Sequence, residues 1–249
     1  MPILKTNAVP LYFTNVSNTS RIVTWLTAHY GKLSTIIQGD LRKNSLFRGQ
    51  YDLFSTSELV FYDRTEKGLH IAKECSMLHA RPVFRTDWKA CAAAGYISAL
   101  FAKTTLRHGH EPGRLDFFEE MLSLAETYGH CAPFLVWFDL QFAEFMGHHL
   151  QLDDSNRKRG AYRFAADHGG LVEPGYASQH RIPATPIAPE AVALLKAWQL
   201  APTPKSVMAT PCNPAHLTQI ERVLEKFVSW QFDLPPHVRK KAVETLRAA

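Results

Sequence analysis

NTSRIVTWLTAHYGKLSTIIQGDLRKNSLFRGQYDLF, residues 18–54, decides how the chain begins to fold. Its first run, RIVTWLT (21–27), is rich in β-branched and aromatic residues, which suit a pleated, half-buried surface. His29-Tyr30-Gly31 reads as a turn, and KLSTIIQ (32–38) gives a second strand closed by Gly39. Working outward, residues 9–13, 53–62 and 69–75 supply three more strand-like runs, the last two separated by the polar turn RTEKG. Five short strands within the first eighty residues predict a small barrel or sandwich. A five-stranded barrel of the OB type fits the count, and so does an SH3-like one.

Beyond Pro82 the pattern turns helical. Thr86-Asp87 resembles an N-cap for a helix over 88–107, and Pro112 and Pro133 open two more, to about 128 and 149. Leu115, Phe118, Leu122 and Ala125 form one apolar stripe, and Leu135, Phe138, Phe142 and Phe145 another. Residues 150–189 read as irregular, with four prolines and one short strand at 162–164; helices resume over 190–200, 215–232 and 236–248. The expected fold class is α+β: an OB-type barrel over residues 1–80, then a helical domain over 81–249 with an irregular insertion at 150–189.

The 249 residues carry a net charge of +5 and a sequence pI of about 9.0. Residues 1–80 hold nine Lys/Arg against six Asp/Glu and residues 151–249 hold thirteen against nine, flanking a mildly acidic middle. That asymmetry suits an anionic partner such as nucleic acid or a membrane surface. Cys75, Cys91, Cys131 and Cys212 form no CxxC pair, which predicts reduced thiols in a cytoplasmic protein. The start MPILKTNAVPLYF has no secretory pattern, and no apolar run approaches the ~20 residues of a membrane span.

Lys32, Arg42, Lys43 and Arg48 cluster around one strand and the loop after it, with Tyr30, Phe47 and Tyr51 interleaved. Cationic groups neutralise phosphates and aromatic faces stack on bases, so this segment is the candidate nucleic-acid contact. The alternative is a solvated loop whose aromatics belong to the core. At the other end, Arg239, Lys240 and Lys241 share one helical turn and read as a dipole partner, a phosphate contact or a solubilising face. His108, His110, His148, His149, His168 and His180, with Asp153 and Asp154, form no HExxH pattern, so no metal and no cofactor is expected. GxSxG, a phosphate loop and GxGxxG are all missing, so the chain reads as a non-enzyme. Two competing functions stand beside nucleic-acid binding: a protein-interaction adaptor on an OB-type barrel that binds no DNA, and a metal-dependent hydrolase using the region of His148 to His180.

Residues 18–54 resemble the N-terminal barrel of the bacterial recombination mediator family RecO. Thr27, Gly31, Lys32, Gly39, Arg42, Lys43, Ser45, Gly49 and Phe54 stand at the positions of that family's pattern. The resemblance implies an OB-fold barrel, a helical domain and an inserted zinc-ribbon-like segment. Many members carry two CxxC pairs in that insertion. This chain keeps Phe164, Gly169 and Gly170 but has no cysteine between Cys131 and Cys212, so the zinc site looks lost. The resemblance further implies a mediator that binds single- and double-stranded DNA and anneals complementary strands. Its implied partners are RecR, in some members RecF, and the acidic C-terminal tail of single-stranded DNA-binding protein, and it would help load RecA at the nucleoid.

Overall fold

A computed structural model describes residues 1–153 and 162–248. The chain divides into two compact units, Met1–Thr127 and Tyr128–Ala249.

In the first unit, strands β1 (Ile3–Asn15), β2 (Arg21–Thr27), β3 (Gly31–Ile37), β4 (Thr56–Tyr62) and β5 (His70–His79) close in the order β1-β2-β3-β5-β4. All neighbours are antiparallel except β3 and β5, which run parallel where Thr35 and Ile36 face His70 and Ile71. The result is a five-stranded OB barrel. One strand serves two edges: Ile3 to Ala8 pair with β4, and Ala8 to Asn15 pair with β2. A register shift between Pro10 and Tyr12 lets β1 do so, at a point where proline's missing N–H breaks no ladder bond.

The barrel interior is filled by Val23, Trp25, Leu33, Ile37, Leu59 and Phe61. Burying each such side chain stabilises the fold by about 1.5–3 kcal/mol. The Trp25 indole N–H donates to Thr35 Oγ1 at 2.9 Å, so its one polar atom is satisfied inside. Three helices complete the unit: α1 (Val83–Thr86), α2 (Trp88–Thr104) and α3 (Arg114–Tyr128), which ends at the border. Asp87 caps α2 by accepting from the N–H groups of Lys89 and Ala90. Ser98 Oγ of α2 donates to the Leu11 carbonyl of β1 at 3.0 Å. The sequence reading draws a domain border after residue 80; the first compact unit runs on to Thr127 and takes in these helices.

The second unit comprises α4 (Ala132–Phe145), β6 (Tyr162–Ala165), β7 (Gly170–Val172), α5 (Pro174–Gln179), β8 (Ala184–Ile187), α6 (Pro189–Gln199), α7 (Pro204–Met208), α8 (Pro214–Phe232) and α9 (Pro236–Arg247). Phe138, Phe142, Trp198 and Phe227 lie in its core. The stretch expected to be irregular contains a three-stranded antiparallel sheet, β7-β6-β8. Its prolines start structure as well as interrupt it: Pro174 and Pro189 occupy the first positions of α5 and α6, where no N–H is needed. Gly170 is there for close approach, since a Cβ would lie 2.3 Å from the Gln151 carbonyl oxygen. Residues 154–160 of the polar turn DDSNRKRG lie outside the described residues.

Candidate nucleic-acid interface

Residues 38–55 join β3 to β4. Gly39 O accepts from Arg42 N–H (3.0 Å), Arg42 O from Ser45 N–H (3.1 Å), Ser45 O from Arg48 N–H (3.3 Å) and Phe47 O from Gln50 N–H (3.0 Å). Leu41 N–H donates to Thr19 O at 3.1 Å, tying this winding segment to the turn between β1 and β2. Arg42, Lys43 and Arg48 are all exposed along it, and Arg48 also donates to the Lys43 carbonyl at 3.3 Å.

The two carboxylates of the segment are neutralised by cations from elsewhere. Asp40 accepts from the Tyr51 hydroxyl at 2.5 Å and stands 3.5 Å from Arg21. Burial, then the hydrogen bond and charge of Asp40, push the Tyr51 hydroxyl well above the usual tyrosine range. Asp52 is held by Arg85, whose Nε donates at 2.9 Å. Among the described residues no acidic side chain is ion-paired with Arg42, Lys43 or Arg48. The segment therefore presents three cations with no opposing charge. Leu46, 91% exposed, stands among them, and Phe47 packs half-buried on the barrel core. With Arg42, Lys43, Asn44 and Leu46, the Phe47 side chain lines an open pocket.

Other expected contacts are placed differently. Lys32 is half-buried, and its ammonium donates to the Ala102 carbonyl of α2. Desolvation first, then Arg107, lowers its pKa. Expected on the surface, it is spent on packing instead. Tyr30 precedes β3, at the barrel end opposite residues 38–55, and its ring meets Phe61 edge-on at 5.7 Å. It is a core-edge aromatic rather than a neighbour of Arg42. Tyr51 likewise lies inside. Arg239 is 2% exposed and pairs with the fully buried Asp139 at 2.7 Å, which removes it from the list of phosphate contacts. Lys240 and Lys241, on the same turn of α9, do face solvent.

The paired cations Arg21 and Arg85 and the exposed Leu46 went unread in the sequence. Arg85 and Asp52 are thirty-three positions apart, and no local pattern marks such a pair. The insertion does not fit a zinc ion: it carries no cysteine, and among the described residues no group of three His, Cys, Asp or Glu could hold a metal. Asp154, one of the acids considered beside the histidines, lies outside the described residues. Among the described residues no helix is long and apolar enough to cross a membrane.

A closed five-stranded OB barrel with an unopposed cationic loop at one rim, continued by a second, largely helical unit, defines the class: an OB-barrel protein of two units. Residues 1–81 match the family described as recombination protein O N terminal, and residues 85–240 match recombination protein O C terminal. The chain is similar to the DNA repair protein RecO of Chlorobium luteolum, 26% identical over 217 residues, spanning 82% of each chain. It is also similar to RecO of Rhodopirellula baltica (29% identical, 66% of this chain and 64% of that one). RecO of Bacillus pumilus is 22% identical over 80% of this chain and 78% of its own. The chain belongs to the recombination protein O family.

Proposed function

We propose that this protein is a DNA repair mediator that binds single- and double-stranded DNA through residues 38–55 of its barrel and anneals complementary strands. One observation carries the reading. Arg42, Lys43 and Arg48 are exposed together while the neighbouring Asp40 and Asp52 are already neutralised by other groups. An outward positive field of this kind attracts a phosphate backbone and releases its counterions. Leu46 and the half-buried Phe47 offer apolar surface to unstacked bases. Annealing needs no catalytic group. Neutralising two backbones lets complementary strands approach, so the role is non-enzymatic. Family membership, and relatives that bear the name DNA repair protein, support placing it in the cytoplasm at the nucleoid. There it would work with RecR, RecF and the acidic tail of single-stranded DNA-binding protein in loading RecA.

The test is fluorescence anisotropy with a mixed-sequence single strand. The variant Arg42→Ala/Lys43→Ala/Arg48→Ala should bind about tenfold or more weakly, and its log–log salt slope should fall by about 2, close to 0.7 per lost phosphate contact. Wild-type affinity and slope in a folded variant would remove the assignment.

A further inference from the structure

Residues 38–55 form the longest connection in the barrel, and a connection of that length keeps its side chains in place only where it is tied down between its ends. Three ties do so. Asp40 turns inward: its side chain is 6% exposed, accepts from the Tyr51 hydroxyl at 2.5 Å and stands 3.5 Å from Arg21. Tyr51 is anchored in the barrel core, with its ring 5.6 Å from Phe13 and 5.5 Å from Trp25. Next in the chain, the Leu41 N–H donates to Thr19 O, and at the far end the buried Arg81 donates to the Phe54 carbonyl at 2.6 Å.

The bond between Asp40 and Tyr51 closes a side-chain bridge around residues 41–50, the stretch that contains Arg42, Lys43 and Arg48. Within it the chain winds on itself through the N–H groups of Ser45 and Arg48. Arg21, the cation beside Asp40, is held in turn over the Phe13 ring at 4.8 Å. Simple electrostatics assigns Asp40 an adverse part. A carboxylate beside three cations repels a phosphate backbone, and its removal would also free Arg21. Its burial and its bond to a core tyrosine assign it a different one.

We propose that Asp40 and Tyr51 are positioning residues: by bridging the two sides of the cationic stretch they fix Arg42, Lys43 and Arg48 relative to one another before a strand arrives, so the protein binds DNA more tightly with this carboxylate than without it. A segment already ordered in its binding arrangement pays less entropy on association. Arg21 offsets the charge of Asp40, so the bridge adds little repulsion toward phosphate. The inference rests on the DNA-binding reading above and assigns within it two side chains that touch no DNA.

The test is anisotropy with a labelled oligothymidylate over a range of salt, comparing wild type, Asp40→Ala, Asp40→Asn and Tyr51→Phe. Asp40→Ala and Tyr51→Phe should each bind about fivefold more weakly, with a salt slope close to that of wild type because all three loop cations remain. Asp40→Asn, whose side-chain oxygen can still accept from Tyr51, should regain most of the affinity. Amide exchange of the free proteins gives a second readout. The N–H groups of Ser45 and Arg48 should exchange faster in the two weak variants, while those of β2 and β3 keep their protection. Asp40→Ala binding as tightly as wild type or tighter, the result that charge alone demands, overturns the proposal and leaves DNA binding intact. Tyr51→Phe at full affinity overturns it equally, and this variant, which keeps the ring in the core, decides the matter if Asp40→Ala does not fold. A wild type that binds no strand at low salt overturns DNA binding and this proposal together.

Discussion

His70 illustrates how one buried group ties the fold to pH. It is 2% exposed at the start of β5, its Nδ1 accepts from the Arg64 N–H at 3.1 Å, and its ring packs edge-on against Phe61 at 5.1 Å. Burial is the largest influence and lowers its pKa, against a smaller raising effect from Asp63 and with a further lowering one from His108. The unfolded chain therefore binds a proton on this residue more readily than the folded one. Its contribution to stability is full above the ordinary histidine pKa of about 6.5 and is lost as the pH falls through that value toward the lowered one. Urea unfolding should show wild type less stable at pH 5.5 than at pH 7.5. His70→Asn, which keeps an acceptor near the Nδ1 position but does not titrate, should lose part of that difference; equal pH dependence in the two proteins would discount the role. At this scale the sequence was least legible. Lys32 and Arg42 look alike on paper, and only the approach of α2 to the barrel separates the half-buried ammonium from the exposed guanidinium.

At the scale of elements, legibility follows the strength of the local pattern. β2 and β3 were readable because their β-branched runs end at real turns: the reading 21–27 coincides with β2, and 32–38 sits one residue from β3. β1 reads from sequence as five residues, 9–13, but runs Ile3–Asn15: burial alternates over Ile3–Ala8, yet the inward positions there are Leu4, Thr6 and Ala8, too mixed in polarity and size to show an apolar strand pattern. The start of the fourth strand was read three residues early because Phe54 adopts φ +64°, which interrupts an otherwise strand-like run. In the insertion the reading finds β6, at 162–164, but not its partners β7 and β8: strands of three and four residues are too short to show a period of two. In the C-terminal helix, composition suggested a basic face, whereas Arg239 anchors α9 to α4 through Asp139 and donates to the Glu221 carbonyl of α8 at 3.1 Å. Arg239→Met removes that guanidinium from a fully buried carboxylate and should cost about 3–5 kcal/mol. Adding Asp139→Leu should recover part of the loss, because the buried charge goes as well. Denaturant midpoints decide the matter, and a single variant within about 1 kcal/mol of wild type would show that the pair is not what holds α9 in place.

For the whole molecule, the question is what counts as the barrel domain. The family boundary falls between residues 81 and 85, close to the border drawn from composition, yet the first compact unit runs to Thr127. The physical reason lies on the outside of the barrel. Ala8, Val9, Pro10 and Leu11 are buried in succession, so both faces of β1 are covered, and the side chain of Ser98 on α2 bonds the Leu11 carbonyl. The Lys32 ammonium needs Ala102, the Lys32 N–H needs Leu106, the Thr56 hydroxyl needs Glu119, and Phe54 packs on Phe84 at 5.4 Å. A chain cut after residue 81 loses every one of these partners and exposes apolar strand surface at about 25 cal/mol per Å². A five-stranded barrel of this size has little stability to spare. Residues 1–127 expressed alone should therefore melt cooperatively and show dispersed amide resonances, whereas residues 1–81 should melt at least about 10 °C lower or fail to fold. Matching melting temperatures for the two fragments would show that the strands alone carry the barrel and that α1–α3 are accessories to it.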